Sequence, residues 1–270
     1  MRALLIGDVI GRPGRVAVER FVIRLREELG LDFVLVNCEN AAGGAGVTPT
    51  VADELFRAGV DVLSSGNHVW RKKEALELLK LDHRVLRPAN YPDTAPGSGS
   101  SVITTLSGQK VGVLNLQGRV FMEPVVACPF RTAERELERL RLTTSMIIVD
   151  MHAEATSEKV AMGWFLDGKV SCVFGTHTHI PTADERLLPK GTAYLTDVGM
   201  TGPYDSVIGR QTEQILERFL SGIPVKSEVA QGNIQLHGLL VDIDPVSGNA
   251  TRVERLTRVL DEAVVDVRER

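Results

Sequence analysis

VSCVFGTHTHIP, residues 170–181, runs an apolar segment of β-branched and aromatic side chains straight into two histidines set one residue apart, His177 and His179. Val170 to Phe174 has the composition of a buried strand. The pair therefore falls where that strand ends. Gly175 permits an unusual backbone angle and Pro181 stops regular structure, so the histidines are expected on a tight loop at the carboxyl edge of a sheet. Open α/β sheets place ligands along that edge, and imidazole is the commonest metal ligand among side chains that change charge near neutral pH. This segment alone leaves three readings open: a metal site, a proton relay, or two surface residues that happen to lie close.

The rest of the chain supplies the sheet. RALLIG (2–7) reads as a buried strand, and GRVAVERFVIRLREEL (14–29) carries Val18, Phe21, Val22 and Leu25 on one helical stripe. FVLVN (33–37) is a second strand. TPTVADELFRAG (48–59) has Thr48 as its cap, Pro49 in the first turn and Gly59 just past its end. VDVLSS (60–65) is a third strand, and the alternation predicts a mainly parallel sheet with right-handed crossovers. Beyond the Pro, Gly and Ser-rich loop RPANYPDTAPGSGS (87–100), the pattern changes. SVITTL and KVGVLNLQG form an expected hairpin about Ser107-Gly108, RTAERELERLRL (131–142) is an amphipathic helix, and SMIIVD (145–150) is a strand. IQLHGLLVDIDPVSGNATRVERLTRVL (234–260) reads as two antiparallel strands about Ser247-Gly248. The expected class is α/β, with two mixed sheets packed face to face and helices outside: a four-layer αββα sandwich, one domain over residues 1–270.

The polar residues just past the predicted strands form a set. Asp8 ends the first; Glu39 and Asn40 end the second, in VNCEN; Asn67 and His68 end the third, in SSGNHVW. His152 comes after MIIVD, and His177 and His179 after VSCVF. The ends of one sheet share an edge, so residues distant in sequence are expected to converge. Singly, each has a structural explanation: Asp8 as a helix cap, Asn67 in a left-handed turn, Asn40 bonded to its own loop, His68 and His152 as satisfied core histidines. Jointly these explanations fare worse, because four of the six histidines fall directly after strands in company with acids and amides. Oxygen and imidazole donors suit Mn, Fe or Zn and disfavour a soft copper or iron–sulfur site. His83 is read as a surface residue and His237 as structural.

Composition narrows the function. With 43% hydrophobic and 24% charged residues and a formal net charge of −4, the chain lacks the basic excess of a general nucleic-acid binder. Cys38, Cys128 and Cys172 are an odd number without a C-x-x-C pair, which argues against a disulfide framework or a zinc ribbon and for a reducing compartment. Gly7 and Asp8 interrupt the amino-terminal apolar run, and no segment approaches a membrane span, so a cytoplasmic protein is expected.

With Asn67 and His68 in GNH, the lone His152, and GTHTH, the chain resembles a calcineurin-like metallophosphoesterase. That superfamily carries Asp-x-His after its first strand, Gly-Asp with a bridging acid after the second, Gly-Asn-His-Asp/Glu after the third, a lone His, then Gly-His-x-His. The departures are specific: Ile10 stands where the first motif has His, NCEN replaces Gly-Asp, Val69 replaces the acid after His68, and one extra residue comes after Gly175. That altered set, with GDVIGRPGR and NCENAAGGAG, resembles over essentially the whole chain the bacterial family of 2′,3′-cyclic nucleotide phosphodiesterases that regulate biofilm formation. The resemblance implies two divalent metal ions. Asp8, Glu39, Asn40 and His179 would bind one, Glu39, Asn67, His152 and His177 the other, and His68 would be the proton donor. Asn40 would replace the missing histidine at position 10 as a weaker neutral ligand, tilting preference toward iron or manganese, with zinc a further candidate.

Such a constellation hydrolyses phosphodiesters by in-line attack of a metal-bridging hydroxide, with the ions roughly 3.5–4 Å apart, and the expected partner is a nucleotide or other small phosphoester. No substrate-binding residue is legible. The alternatives are a phosphomonoesterase or protein phosphatase on the same ions, and a low-turnover, metal-bound regulator that senses a nucleotide. A dinucleotide fold is set aside, since GDVIGRPG spaces its glycines G-x-x-x-G-x-x-G. The glycine-rich AAGGAGVTP (41–49) either closes over a nucleotide or makes a tight strand-to-helix crossing. The apolar carboxyl-terminal strands either finish a sheet or form a homo-oligomer interface.

Overall fold

Successive residues of the first strand are buried in different places. Leu4 and Ile6 join one hydrophobic cluster while Ala3 and Leu5 join another, so the sheet they belong to is covered on both faces. The computed structural model describes residues 1–261; the end of the expected domain 1–270 lies outside the described part. In chain order the described elements are β1 (Arg2–Ile6), β2 (Asp8–Val9), α1 (Gly11–Leu29), β3 (Phe33–Asn37), α2 (Pro49–Arg57), β4 (Val62–Ser64) and α3 (Ala75–Leu81). There follow β5 (Ser100–Thr104), β6 (Lys110–Gln117), α4 (Pro129–Leu140), β7 (Ile147–His152), α5 (Thr156–Leu166) and β8 (Cys172–Thr176). The chain ends with β9 (Arg186–Leu187), β10 (Ala193–Leu195), β11 (Met200–Pro203), α6 (Thr212–Ser221), β12 (Ile234–Ile243) and β13 (Ala250–Val259).

The first sheet runs β2-β11-β12-β1-β3-β4 with β13 on the other edge of β12; the second runs β5-β6-β7-β8-β10-β9. In each, a parallel centre (β1-β3-β4, and β6-β7-β8-β10) carries antiparallel neighbours. Three apolar layers separate the elements. Leu4, Val34 and Val36 meet Val18, Val22 and Leu25 of α1 on the outside of the first sheet. Leu5, Phe33 and Leu35 meet Val113, Ile148 and Phe174 between the sheets. Ile147, Val149 and Val173 meet Leu137 of α4 and Met162 of α5 outside the second. The period-two alternation along β1, β3, β7 and β8 thus builds the αββα sandwich directly.

The expected hairpins are present, β5 with β6 and β12 with β13. α2 starts as read: the Thr48 hydroxyl accepts from the Val51 amide and Pro49 opens the helix. His83 is exposed, and His237 stacks on Tyr204 with ring centroids 4.7 Å apart. The sequence reading misses β2, α3, α5, β9, β10, β11 and α6, three of them for a plain physical reason. α5 buries Glu158 and Lys159 on its inner face, which erases the apolar stripe, and β10 and β11 are too short to show a period. Among the described residues no helix is long and apolar enough to cross a membrane.

Candidate metal centre

The strand ends converge, but not on one sheet edge as expected. Asp8, Glu39, Asn40, Asn67 and His68 lie at the carboxyl ends of β1, β3 and β4 in the first sheet, whereas His152, His177 and His179 lie at those of β7 and β8 in the second. Face-to-face packing brings the two edges together. The His177 amide donates to Asp8 Oδ2 at 3.0 Å, a backbone stitch between the sheets.

Two groups of donors form around one acid. Glu39, His152 and His177 make one, Asp8, Glu39 and His179 the other, and within each the donor atoms lie within 4.8 Å of one another. Both amides border them. His152 Nε2 lies 3.2 Å from Glu39 Oε2, 3.1 Å from Asn67 Oδ1 and 3.1 Å from His177 Nδ1. One ring nitrogen carries at most one proton, so it cannot satisfy three such neighbours by donating. On the other side, Asn40 Nδ2 sits 3.1 Å from Glu39 Oε1 and 3.2 Å from His179 Nε2, with Asp8 Oδ1 3.9 Å from the same histidine nitrogen. Asp8 Oδ1 is buried and has no hydrogen-bond partner. A fully desolvated carboxylate oxygen without a donor is costly, and a cation is the partner that would relieve it.

Electrostatics follow from this crowding. Burial raises Asp8 against the pull of His179 and His152. Burial also pushes Glu39 upward, yet the charge of His152 and hydrogen bonds from His152 and His68 hold it well below the usual carboxylate range. His152, disfavoured as a cation by burial, is raised to about 9 by Glu39, Asp8 and Asp150. Burial and the adjacent His152 push His177 down to about 3, leaving it neutral, the form in which imidazole ligates.

The GTHTH backbone is strained where the motif reading did not put the strain. His177 and His179 themselves occupy the left-handed region, with φ of 96° and 66°, which is uncommon for residues other than glycine and marks a held conformation. Gly175 does not adopt a positive φ. It is needed because the Thr196 carbonyl oxygen would lie 1.8 Å from a Cβ there. Gly66, ahead of Asn67, has a similar reason: a Cβ would fall 2.1 Å from His152 Nε2 and 2.4 Å from Glu39 Oε2.

A layer of polar residues that the sequence reading missed holds the histidines. His152 Nδ1 meets Thr176 Oγ1 at 2.9 Å, and that hydroxyl donates to Asp150 Oδ1 at 2.7 Å. Ser64 and Asn37 donate to the other Asp150 oxygen, and burial raises Asp150 to about 6. His177 Nε2 lies 3.2 Å from Glu154 Oε2, and His179 Nδ1 3.0 Å from the Ile208 carbonyl. Asp197 takes hydrogen bonds from the Thr178 amide and hydroxyl and from Gly199, and is neutralised by Lys159 at 2.6 Å, both ends of that pair being buried. The signals existed: Asp150 precedes His152 by two on one strand face, and Asp197 comes after β10 as the other acids come after their strands.

His68 stands at the mouth, half-buried, its Nδ1 2.9 Å from Asn40 Oδ1 and 3.4 Å from Glu39 Oε1, its backbone amide donating to Glu39 Oε2. Asp8 caps no helix, since Ile10 is the N-cap of α1. The 41–49 loop is a tight crossing: Gly46 donates to the Glu39 carbonyl, Ala42 to the Gly46 carbonyl at 2.9 Å, and Arg210 clamps the Gly44 carbonyl.

A family model described as YmdB-like protein matches residues 4–256. The chain is similar to the 2′,3′-cyclic-nucleotide 2′-phosphodiesterase of Bacillus subtilis (strain 168), 45% identical over 256 residues, 95% of this chain and 96% of that protein. Among solved structures, a hypothetical protein from Thermus thermophilus has a TM-score of 0.90 at 42% identity, over 96% of this chain and 99% of that one. A structure described as a novel phosphatase from Mycoplasma pneumoniae has a TM-score of 0.90 at 35% identity, over 96% of this chain and 93% of that one.

Proposed function

Because the chain belongs to the YmdB-like protein family, we propose that it is a metal-dependent phosphodiesterase whose substrates are 2′,3′-cyclic nucleotides. The observation that carries this reading is the pair of donor groups that share Glu39. Asp8, Glu39, Asn40 and His179 would hold one divalent ion, and Glu39, Asn67, His152 and His177 the other, iron or manganese ahead of zinc. The unpartnered Asp8 Oδ1 and the crowding of acceptors around His152 Nε2 support the fit. When bound, the ions supply Lewis-acid charge beside the phosphoryl oxygens and draw a water toward ionisation near neutral pH.

The chain's own residues do the rest. Glu39, ionised and held by the His68 amide, fixes the spacing between the two groups. His68 is the proton donor to the departing alkoxide. Its side chain is 28% exposed, so the ring reaches the substrate side while Nδ1 stays tied to Asn40. The Asn40 oxygen accepts from His68 Nδ1–H at 2.9 Å and has a second lone pair for the first ion. The second proton of the imidazolium sits on Nε2, where a leaving oxygen can take it and leave a neutral ring. The same groups fit a phosphomonoesterase; the identity to a phosphodiesterase along nearly the whole chain favours the diester. The reading extends to residues 1–270 acting as one domain, in the reducing cytoplasm, where three free cysteines, Cys38 and Cys172 buried, are at home.

The deciding experiment is turnover of 2′,3′-cyclic AMP by manganese-loaded protein, beside His68→Ala of equal metal content. Hydrolysis by the wild type with a large loss in the variant is expected. No hydrolysis by fully loaded wild type sinks the diesterase and leaves a monoesterase or a nucleotide-sensing regulator.

A further inference from the structure

Beside the centre opens a cleft of 510 Å³ lined by Asn67, Trp70, Arg71, Glu123, Pro124 and Val125. Its volume is that of small-molecule sites, which run about 300–1,000 Å³. Asn67 belongs both to this cleft and to the candidate centre, where its Oδ1 meets His152 Nε2 at 3.1 Å. A phosphoryl group at the centre therefore has its organic part at the cleft's entrance.

The walls are fixed before anything binds. Trp70 packs on Tyr91 with centroids 5.6 Å apart and planes at 82°, so the indole cannot swing freely. The Arg71 amide donates to the His68 carbonyl, which places its side chain on the same turn as the proposed proton donor. The opposite wall is pinned from beneath: Gln117 Nε2 donates to the Pro124 carbonyl at 3.1 Å, and Asn90 Nδ2 to the carbonyls of Gln117 and Ala127 at 2.6 and 3.0 Å.

The chemistry of the lining is selective. Glu123 is an exposed carboxylate, which repels a second phosphate and so speaks against an extended anion or a nucleic-acid backbone. An indole, a guanidinium and an acceptor-only carboxylate match a flat, neutral ring with hydrogen-bonding edges, since bases stack on aromatic and guanidinium planes. We propose that this cleft seats the nucleobase of the substrate, stacked on Trp70 and Arg71, with Glu123 selecting bases that offer an exocyclic amino group. The proposal rests on the phosphodiesterase reading and names its specificity site.

Cytidine and uridine 2′,3′-cyclic phosphates make the sharpest pair: cytosine presents an amino donor where uracil presents a carbonyl that Glu123 would repel. The wild type is expected to favour the cytidine substrate in KM by about 5- to 150-fold, from the worth of a good edge contact, and Glu123→Gln, whose amide serves either edge, to bring the ratio close to one. Trp70→Ala is expected to raise KM for either nucleotide by about 5- to 150-fold relative to glycerol 1,2-cyclic phosphate, which has the same ring and no base. Equal KM for nucleotide and base-free diester in the wild type overturns the base seat while leaving the diesterase intact. Should neither be hydrolysed, the diesterase reading fails and binding decides the cleft. The protein has two tryptophans, so in a Trp164→Phe background the emission comes from Trp70. Saturable quenching by cytidine 3′-monophosphate, weaker in Glu123→Gln, supports the seat, and absence of quenching removes it.

Discussion

Asp8, Glu39, Asn40, Asn67 and His68 reach the centre from the first sheet, where Glu39, Asn40 and His68 lean directly on one another, while His152, His177 and His179 reach it from the second and are each held from behind. In the first group the contacts run Asn40 to Glu39, His68 to Asn40 and His68 to Glu39, and one Asp8 oxygen meets no donor at all. In the second, His152 rests on Thr176 and Asp150, His177 on Glu154, and the intervening Thr178 on the Lys159–Asp197 pair. The acids supply negative charge, one Asp8 oxygen of it without a donor; the imidazoles are supplied with their orientation in advance. A centre of this kind gains affinity from the first sheet and geometry from the second, which is how outer partners commonly tune a metal site.

The hardest test of this division is Glu39→Ala, because Glu39 alone belongs to both donor groups. It should empty both positions and take turnover to background, with metal content read by elemental analysis. Chelation should mimic it in the wild type: loaded protein gains stability by mass action, about 2.7 kcal/mol at a hundredfold excess of ion over Kd, and its melting temperature should fall on chelation while that of Glu39→Ala stays put. His68→Ala should keep both ions and lose about 10²–10⁴ in turnover, the usual worth of a positioned acid. Metal loss in that variant would mean that its amide and ring hold Glu39 rather than protonate a leaving group.

In the second sheet the largest loss should come from Lys159→Met. It leaves Asp197, at 1% exposure, without its charge partner, and breaking a buried pair on one side costs about 3–5 kcal/mol. The left-handed His177 and His179 then lose the anchor at Thr178, so metal affinity should drop about 10- to 100-fold. Restoring neutrality with Asp197→Asn in the same chain should recover most of the stability in a denaturant titration and less of the affinity. Full recovery of both would make the pair a packing feature with no part in placing the histidines.

These two sheets were unequally legible in the sequence. On the first, Asp8 opens the two-residue β2 directly after β1, and Glu39, Asn40, Asn67 and His68 stand in short loops after buried strands, so the strand-end rule finds all five without knowing the fold. On the second it finds the three histidines and misses their supports. Lys159 lies on a helix whose buried face carries two charged residues, and Asp197 comes after a strand of three residues, so neither element shows a period to be read. Nor could the sequence assign the ends to different sheets, because alternation reports that a strand has two buried faces and not which neighbour covers them. The cleft at Trp70 is of the same kind: Glu123 and Pro124 come from an irregular loop whose place beside Asn67 is fixed by Asn90 and Gln117, contacts that no local pattern encodes.

Two single-hydroxyl deletions measure the difference at its smallest. Thr176→Val keeps the shape of a fully buried side chain but removes the oxygen between His152 Nδ1 and Asp150 Oδ1. Both are left without a partner, which costs about 1–3 kcal/mol, and His152 is free to turn, so metal affinity should fall about 10- to 100-fold. Thr48→Ala removes the cap of α2, whose bond to the Val51 amide is long at 3.4 Å, and should cost about 0.5–1 kcal/mol. Metal affinity should not move with it. Glu39 and Asn40 are placed by the hydrogen bonds of the 38–46 crossing, Gly46 to Glu39 and Ala41 to Cys38 among them, which end before the helix begins. A parallel fall in affinity in Thr48→Ala would show that the acids of the first sheet also depend on distant support, and the contrast between the two sheets would reduce to one of degree.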